Sequence, residues 1–367
     1  MTVQSPDSDA LLHSFRMLFD AADLIRGVQG DVLGALGLGP TEISYKVSLS
    51  GAFWRLRDYD EHDASLPVLI IAAPIKRPYI WDLDQSTSVI RYLLSCGLRV
   101  HLLEWLPASW TTNQNGLTEY VEAISECVAR ISEKRKDLEP FLIGHSLGGT
   151  LAAIFAASGA ASTRGLVLLG APLCFRSATS RFRDALVSIA PSGLDDAGPC
   201  PGSLLSNMSA LASPDTFIWS RLSDAVFSLT DGHALEVHAR VERWALDEVA
   251  VPGKLVNQMI EWLYREDRFS RGELKIGKGL IGPLTLSAPT LAVVNTEDEI
   301  APLTSVKPFI DAMTITDVRI IEFPGEVGAC LQHLSSLIGR KAHAQVWPEI
   351  ISWIYSRGLQ HRVEAAS

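Results

Sequence analysis

"FLIGHSLGGTLAAIFAA" at residues 141–157 joins an apolar run to an alanine-rich run through a glycine-lined turn. The apolar run predicts a buried strand, the alanine-rich run predicts a helix, and GHSLG lies between them at residues 144–148. A serine in G-x-S-x-G between a strand and a helix is typical of a sharp turn that exposes its hydroxyl at a sheet edge. The motif alone is a weak signal, because a glycine-rich turn with a surface serine has the same pattern. Ser146 is therefore a candidate nucleophile that needs partners elsewhere in the chain.

Strand-like and helix-like runs alternate around this turn. The strands are predicted at residues 67–74, 98–105, 141–144 and 164–172, and the helices between them at residues 88–97, 116–135 and 148–159. This order predicts the α/β class, with a mostly parallel sheet and helices on both of its faces. Such folds bind their ligands at the carboxyl ends of the strands.

The alternation stops after Pro172 and resumes with APTLAVVNTEDEIAP at residues 288–302. A mainly helical segment without an evident series of strands lies between these points, which indicates an insertion in one α/β domain. We predict an α/β core at residues 41–173 and 286–360, a cap insertion at 174–285, an N-terminal helical segment at 1–40 and a tail at 361–367.

The N-terminal segment has apolar residues at helical spacing within residues 11–36. We expect this helix to pack on the main domain, as amphipathic helices usually do. The alternative is an anchor on a lipid or polymer surface, although the polar face lacks the basic bias of such anchors.

Composition excludes several classes of protein. A net charge of −10 over 367 residues opposes binding to nucleic acid, which needs a basic surface. The five cysteines are scattered and form no C-x-x-C pair, so they predict neither a zinc site nor a disulfide framework. No leader pattern and no apolar run of membrane-spanning length is present. We expect a cytoplasmic protein without a transmembrane segment, metal or organic cofactor, and a homodimer is left open.

The acid that would partner Ser146 is predicted in NTEDEIAP, directly after the strand-like run PTLAVV. In folds with this turn the acid and the histidine follow the serine in the chain. Three carboxylates are available, and a loop directs one of them inward. We favour Asp298 over its neighbours Glu297 and Glu299, and the alternative is an acidic loop that faces solvent.

Three histidines follow Asp298, and any of them could be the base. His361 lies in the polar tail, and His343 precedes a closing helix, where it could cap or pack. His333 follows the strand-like run VRIIEF and a loop, which is where the base is expected. We rank His333 first and His343 second.

The roles of these residues follow from their chemistry. His333 would take the proton from Ser146 during attack and return it to the leaving group, while Asp298 orients the imidazole. An oxyanion needs two backbone donors, and one is the N–H of Leu147, the residue after the serine. The second should come from the loop after PVLIIAAP. Proline has no N–H, so Ile75 is the candidate.

Six segments together resemble the poly(3-hydroxyalkanoate) synthases, which have the α/β-hydrolase fold. In chain order they are APIKRPYIWDL, GHSLGGTLAAI, VERWALDE, LYREDRFSRGELKIG, PTLAVVNTEDEIAP and GRKAHAQVWPEIISWI. The resemblance runs from about Pro67 to Ile354 and includes the cap. It implies the same three catalytic residues, Ser146, Asp298 and His333. It also implies acyl transfer from a 3-hydroxyacyl-coenzyme A thioester to a growing hydroxyl end.

Two departures from that family bear on the reaction. The synthases have cysteine in a G-x-C-x-G box where this chain has Ser146, and they tend to have Gly-His-x-Gly where this chain has LQHLS at residues 331–335. A thiolate is both a good nucleophile and a good leaving group for passing an acyl chain onward, and an alkoxide is a poorer leaving group.

We therefore interpret the chain first as a serine hydrolase or acyltransferase that acts on hydroxyacyl esters or thioesters, small or polymeric, through an acyl-enzyme. The alternatives are a polymer synthase that uses serine and a catalytically silent protein that binds acyl ligands or polymer granules. The intact Ser-Asp-His set argues against the silent protein. Lys76 and Arg77 could meet the phosphates of an acyl-coenzyme A, although a solvated pair of basic residues explains them equally well.

Overall fold

The strands of the computed structural model follow the alternation of apolar runs. The structure describes residues 6–59, 66–133, 138–191, 193–194, 198–326 and 331–364. The strands within this part of the chain are β1 (Lys46–Ser50), β2 (Trp54–Asp58), β3 (Pro67–Ile71), β4 (Arg99–Trp105), β5 (Phe141–His145), β6 (Gly165–Leu169), β7 (Leu274–Ile276), β8 (Gly279–Ile281), β9 (Thr290–Asn295) and β10 (Val318–Phe323).

Eight of these strands form one sheet in the order β1-β2-β4-β3-β5-β6-β9-β10. The pairs β1–β2 and β2–β4 are antiparallel, and every pair from β4 to β10 is parallel. All residues of β3, β5 and β6 are buried, because helices cover both faces of the parallel part. The predicted α/β fold with a mostly parallel sheet is confirmed.

The helices divide into those on the sheet and those in the insertion. They are α1 (Pro6–Leu33), α2 (Val89–Ser95), α3 (Leu117–Glu133), α4 (Leu147–Ser158), α5 (Arg181–Ile189), α6 (Gly202–Ala212), α7 (Ser220–Ser228), α8 (Gly232–Leu246), α9 (Gly253–Gln258), α10 (Lys307–Asp311), α11 (Ser335–Ile338) and α12 (Trp347–Glu364). Helices α3, α4 and α10 bury apolar side chains on one face of the sheet, and α2, α11 and α12 do so on the other. Within the described residues, no helix has the length and apolar character needed to cross a membrane.

The insertion between β6 and β9 is mainly helical and holds α5 to α9. It also contains the β7–β8 hairpin, which the sequence pattern did not predict, because strands of three residues are too short to show a period. Phe269, just before the hairpin, is fully buried and packs on Phe309 of α10 with ring centroids 4.6 Å apart. The end of the insertion therefore packs on the core, and the cap limits at 174 and 285 stay a prediction.

Helix α1 packs mainly on α6 and α8 of the insertion, which differs from our expectation. It also contacts the core, where Arg16 lies over the Trp110 ring at 4.4 Å from its centroid. The Asp23 carboxylate accepts hydrogen bonds from the N–H groups of Gly202 (3.1 Å) and Ser203 (2.7 Å), and thereby caps the start of α6. The opposite side of α1 leaves large apolar side chains exposed, namely Met17, Leu18, Leu24, Ile25, Val28 and Val32.

Candidate active site

The turn from β5 to α4 holds Ser146 in a strained backbone conformation. Its φ of 55° and ψ of −133° lie outside the regions that residues with a side chain normally adopt. Glycines around it permit a very close approach of the two arms. A Cβ atom on Gly144 would lie 2.5 Å from Gly149 Cα, and one on Gly148 would lie 2.2 Å from the carbonyl oxygen of Ile71. These contacts explain the glycines of the motif and place Ser146 at the carboxyl end of β5.

The two strands at the edge of the sheet supply a buried Asp–His pair. Asp298 follows β9 and His333 follows β10, and Asp298 Oδ2 lies 2.7 Å from His333 Nδ1. Gly170, at the end of β6, has a φ of 48° and lies under this pair, where an added Cβ would be 3.3 Å from Asp298 Oδ2. The parallel order β5-β6-β9-β10 thus brings the three predicted residues to one edge of the sheet.

Asp298 is held as a carboxylate. Burial alone would raise its pKa, but the attraction and hydrogen bond of His333, with the amides of Ile300 and Ala301, bring the pKa below its ordinary value. The Ile300 N–H donates to Asp298 Oδ1 at 2.9 Å, which fixes the carboxylate plane. Asp298 can therefore accept the Nδ1–H of His333 and leave Nε2 as the basic nitrogen.

His333 and Ser146 line the same cavity. The His333 Nε2 atom is buried and makes no hydrogen bond to any group in the described part of the chain.

His343, our second candidate, lies elsewhere: its Nε2 donates to the carbonyl oxygen of Leu337 at 2.7 Å, and its ring packs edge-on against Tyr92. His361 lies in α12, and its side chain falls outside the part that the structure describes. Cys330, which the sequence places in the His333 loop, lies outside the described residues.

His145 takes part in the site, and sequence reasoning did not identify it. Its Nε2–H donates to the backbone carbonyl of His333 at 2.7 Å, and the two rings lie 4.6 Å apart between centroids. Burial, together with the charge of His333, lowers the pKa of His145 to about 3. His145 is therefore a neutral donor that holds the backbone of the His333 loop. Its position directly before the serine was the only available signal.

The substitution His145→Gln should make the free energy of unfolding less dependent on pH below about 6.5. Because the pKa of His145 falls from 6.5 to about 3 on folding, only the unfolded chain binds this proton between those values. The free energy of unfolding therefore drops by about 1.4 kcal/mol per unit as the pH falls below about 6.5. Melting curves between about pH 7 and pH 4.5 should show a smaller slope for His145→Gln, whose amide can still donate to His333.

His233→Gln is the matched control, because His233 lies on α8 away from the His145–His333 contact and is only partly buried. Its melting curves should follow those of the parent protein. An unchanged slope in His145→Gln would contradict the assignment of His145 as a neutral buried group.

The cavity in front of Ser146 has a volume of about 330 Å³ and mostly apolar walls. The core contributes one wall, and α5, α6, α8 and the segment Asp215–Trp219 of the insertion contribute the other. The apolar lining side chains include Ile75, Trp81, Leu147, Phe182, Leu186, Leu205, Met208, Phe217, Val241, Met259 and Ile260. A site of this size and polarity suits the apolar part of a small organic ligand.

The loop after β3, from which the second backbone donor was predicted, lines the same cavity as Ser146. Ile75 and Ala73 both line the cavity, as does Leu147 at the start of α4. A Cβ built on Gly148 would be 3.0 Å from the Ala73 nitrogen, so this amide lies against the start of α4. Ile75 stays a prediction, and Ala73 is a second candidate that the sequence pattern did not indicate.

The basic residues of this loop are bound within the protein. Lys76 Nζ lies 2.7 Å from Glu248 Oε2, and Arg77 Nε lies 3.5 Å from Asp247 Oδ1. Arg26 of α1 also reaches Glu248, at 2.9 Å. Lys76 is therefore bound to a buried carboxylate and is not a solvated basic residue. The contact of Lys76 and Arg77 with acyl-coenzyme A phosphates stays a prediction, since both residues also line the cavity.

Comparison with known proteins agrees with this architecture. The family model described as "alpha/beta hydrolase fold" matches residues 79–325. The chain belongs to the alpha/beta hydrolase fold family.

Within that family, this chain is similar to poly(3-hydroxyalkanoate) polymerase subunits, which confirms the resemblance stated above. It is 28% identical to the PhaC subunit of Haloferax mediterranei over 88% of this chain and 65% of that protein. It is 27% identical to the subunit of Haloarcula marismortui over 81% of this chain and 62% of that protein. It is 25% identical to the Synechocystis subunit over 88% of this chain and 86% of that protein. The matched part thus spans under two thirds of the two haloarchaeal relatives.

Solved structures show the same fold. A soluble variant of monoglyceride lipase from Saccharomyces cerevisiae superposes with a TM-score of 0.55 at 13% identity, over 86% of this chain and 94% of that chain. A carboxylesterase of the Thaumarchaeon Nitrososphaera gargenis gives a TM-score of 0.51 at 13% identity, over 86% of this chain and 100% of that chain.

Proposed function

We propose that the protein is a serine-dependent hydrolase or acyltransferase that acts on acyl or hydroxyacyl esters or thioesters. One observation carries the proposal: Ser146, on a strained turn, lines the same cavity as His333, whose Nδ1 is bound to Asp298. A nucleophile, a base and a group that orients the base are the requirements for covalent acyl transfer.

The reaction would proceed in two halves. The Ser146 Oγ–H bond breaks as His333 Nε2 takes the proton, and Oγ forms a bond to the acyl carbon. The N–H of Leu147, with that of Ile75 or Ala73, would stabilise the negative oxygen. When the intermediate collapses, the bond to the leaving group breaks, and His333 returns the proton to it.

The second half passes the acyl group to an acceptor. Water or an alcohol gives its proton to His333, and its oxygen attacks the ester carbonyl, which releases Ser146 Oγ with a proton. Water gives a free acid, and the hydroxyl end of a 3-hydroxyacyl chain gives a longer chain. The apolar cavity suits an acyl chain in either case.

Chain growth is the second candidate, and the names of the similar polymerase subunits favour it. Ser146 favours hydrolysis, because an oxygen ester transfers its acyl group to a hydroxyl less readily than a thioester does. The elbow itself is compatible with either nucleophile, since the close approaches that require glycine at positions 144 and 148 do not involve the side chain of residue 146.

Incubation with 3-hydroxybutyryl-coenzyme A, followed by separation of the products by size, tests the two candidates. We expect coenzyme A release with free 3-hydroxybutyrate as the main product of the parent protein. Ser146→Cys should shift the products toward oligomers, because a thioester is the better acyl donor. Polymer from the parent protein would favour the synthase. Ester cleavage without coenzyme A release would exclude the thioester as a substrate.

A further inference from the structure

Glu299 follows Asp298 and points toward the insertion. Its Oε2 accepts hydrogen bonds from Ser213 Oγ and Thr216 Oγ1, each at 3.0 Å. Its backbone carbonyl accepts a third from Ser180 Oγ at 2.7 Å. The three donating residues are nearly inaccessible to solvent, with exposed fractions of 5–7%. Glu299, in the Asp298 loop, thus accepts three hydrogen bonds from the insertion.

These bonds reach three of the insertion elements that contribute to the far wall of the cavity. Ser180 is the N-cap of α5, whose Phe182 lines the cavity. Ser213 ends α6, and Thr216 lies in the segment Asp215–Trp219 that follows. Both α6 and that segment also contribute to the cavity wall. Glu299 therefore connects the Asp298 loop to the insertion wall of the cavity that Ser146 lines.

The three consecutive residues at 298–300 face three different parts of the site. Asp298 binds His333, Glu299 binds the insertion, and the Ile300 side chain lines the cavity. Because these residues are consecutive, the carboxylate that orients the base and the residue that binds the α6 corner belong to one short stretch of backbone.

We infer that Glu299 is a positioning residue that fixes the apolar wall of the insertion relative to the Asp298–His333 pair, and so sets how well a long acyl chain is bound. Without the Glu299 carboxylate, Ser213 Oγ and Thr216 Oγ1 keep only their contact with each other, at 2.8 Å. One buried hydroxyl hydrogen then has lost its acceptor, and such an unsatisfied group is costly. The wall would then separate from the loop while the Asp–His contact remains.

Kinetics with two esters tests the effect on the cavity, and this part rests on the proposed function. For Glu299→Ala we expect the KM of p-nitrophenyl octanoate to rise about ten-fold, the effect of losing one such hydrogen bond, while that of p-nitrophenyl acetate changes less than about two-fold. Glu299→Gln should restore the parent values, since its amide oxygen has two lone pairs for the same hydroxyls. Glu297→Ala is the matched control, because Glu297 lies in the same loop and is exposed.

Hydrogen exchange tests the positioning without any turnover. Peptides that cover residues 203–219 should exchange about ten-fold faster in Glu299→Ala than in the parent protein, and at the parent rate in Glu299→Gln and Glu297→Ala. If activity is absent from every variant but this pattern holds, the proposed function fails and the positioning role stands.

If Glu299→Ala does not fold, substitutions of the two hydroxyl donors test the same inference. Ser213→Ala with Thr216→Val removes both donors and should reproduce the faster exchange. Adding Glu299→Ala to that pair should have no further effect, because the same bonds are already lost. Parent-like exchange in Glu299→Ala, or a Glu299→Gln variant as impaired as the alanine variant, would overturn the inference.

Discussion

Replacing Ser146 with alanine is expected to lower kcat at least ~10⁴-fold, because the proposed reaction has no acyl acceptor without the Oγ atom. The KM should change little, since the cavity walls that bind the acyl chain are untouched. Initial rates with p-nitrophenyl octanoate or 3-hydroxybutyryl-coenzyme A measure the effect. Folding should be preserved, because alanine meets the same strain at a φ of 55° as serine does.

Two controls separate chemistry from folding. Ser146→Gly lacks the hydroxyl as well and should be equally inactive, but its melting temperature should rise, since glycine adopts positive φ without strain. Ser158→Ala, at the end of the same helix, should keep full activity. Turnover by Ser146→Ala near the parent rate would disprove the role of Ser146 as the nucleophile.

The second large effect is expected at the base. His333→Ala should lower kcat at least ~10³-fold, because His145, the other imidazole that lines the cavity, has a pKa lowered to about 3 and is a poor base for the Ser146 proton. Asp298→Asn should cause a loss of similar size, since an amide no longer favours the tautomer with a basic Nε2. Steady-state kinetics over a range of pH would measure both variants.

His343→Ala is the decisive comparison. His343 donates to the Leu337 carbonyl outside the cavity, so its loss should affect stability and leave kcat within about two-fold. An inactive His343→Ala together with an active His333→Ala would show that the base was assigned wrongly.

The fold was predictable because parallel strands leave a simple signal. The fully buried strands are continuous apolar runs, and helices of clear period separate them. The positions of Asp298 and His333 were predicted by the same logic. Asp298 closely follows β9, His333 follows β10 after a loop, and the carboxyl ends of these two strands share one edge.

The remaining parts of the site depend on contacts that no local pattern encodes. The bond from His145 to the His333 carbonyl spans 188 positions in the chain, and the bond from Glu299 to Thr216 spans 83. Glu299 was considered only as a rival to Asp298, because nothing in the sequence shows which way a loop carboxylate turns. Likewise, the partner of Lys76 could not be inferred, since Glu248 lies at the end of a helix in the insertion.

The pairing of β6 with β9 has a consequence for how the protein acquires its activity. These neighbours in the sheet pair in register, with Leu166 beside Thr290, although the whole insertion lies between them in the chain. A contact of such high sequence separation carries a large loop-closure cost, and folds rich in such contacts form slowly. Asp298 and His333 lie on the far side of that pairing. During refolding, catalytic competence should therefore return later than the bulk of the helical signal.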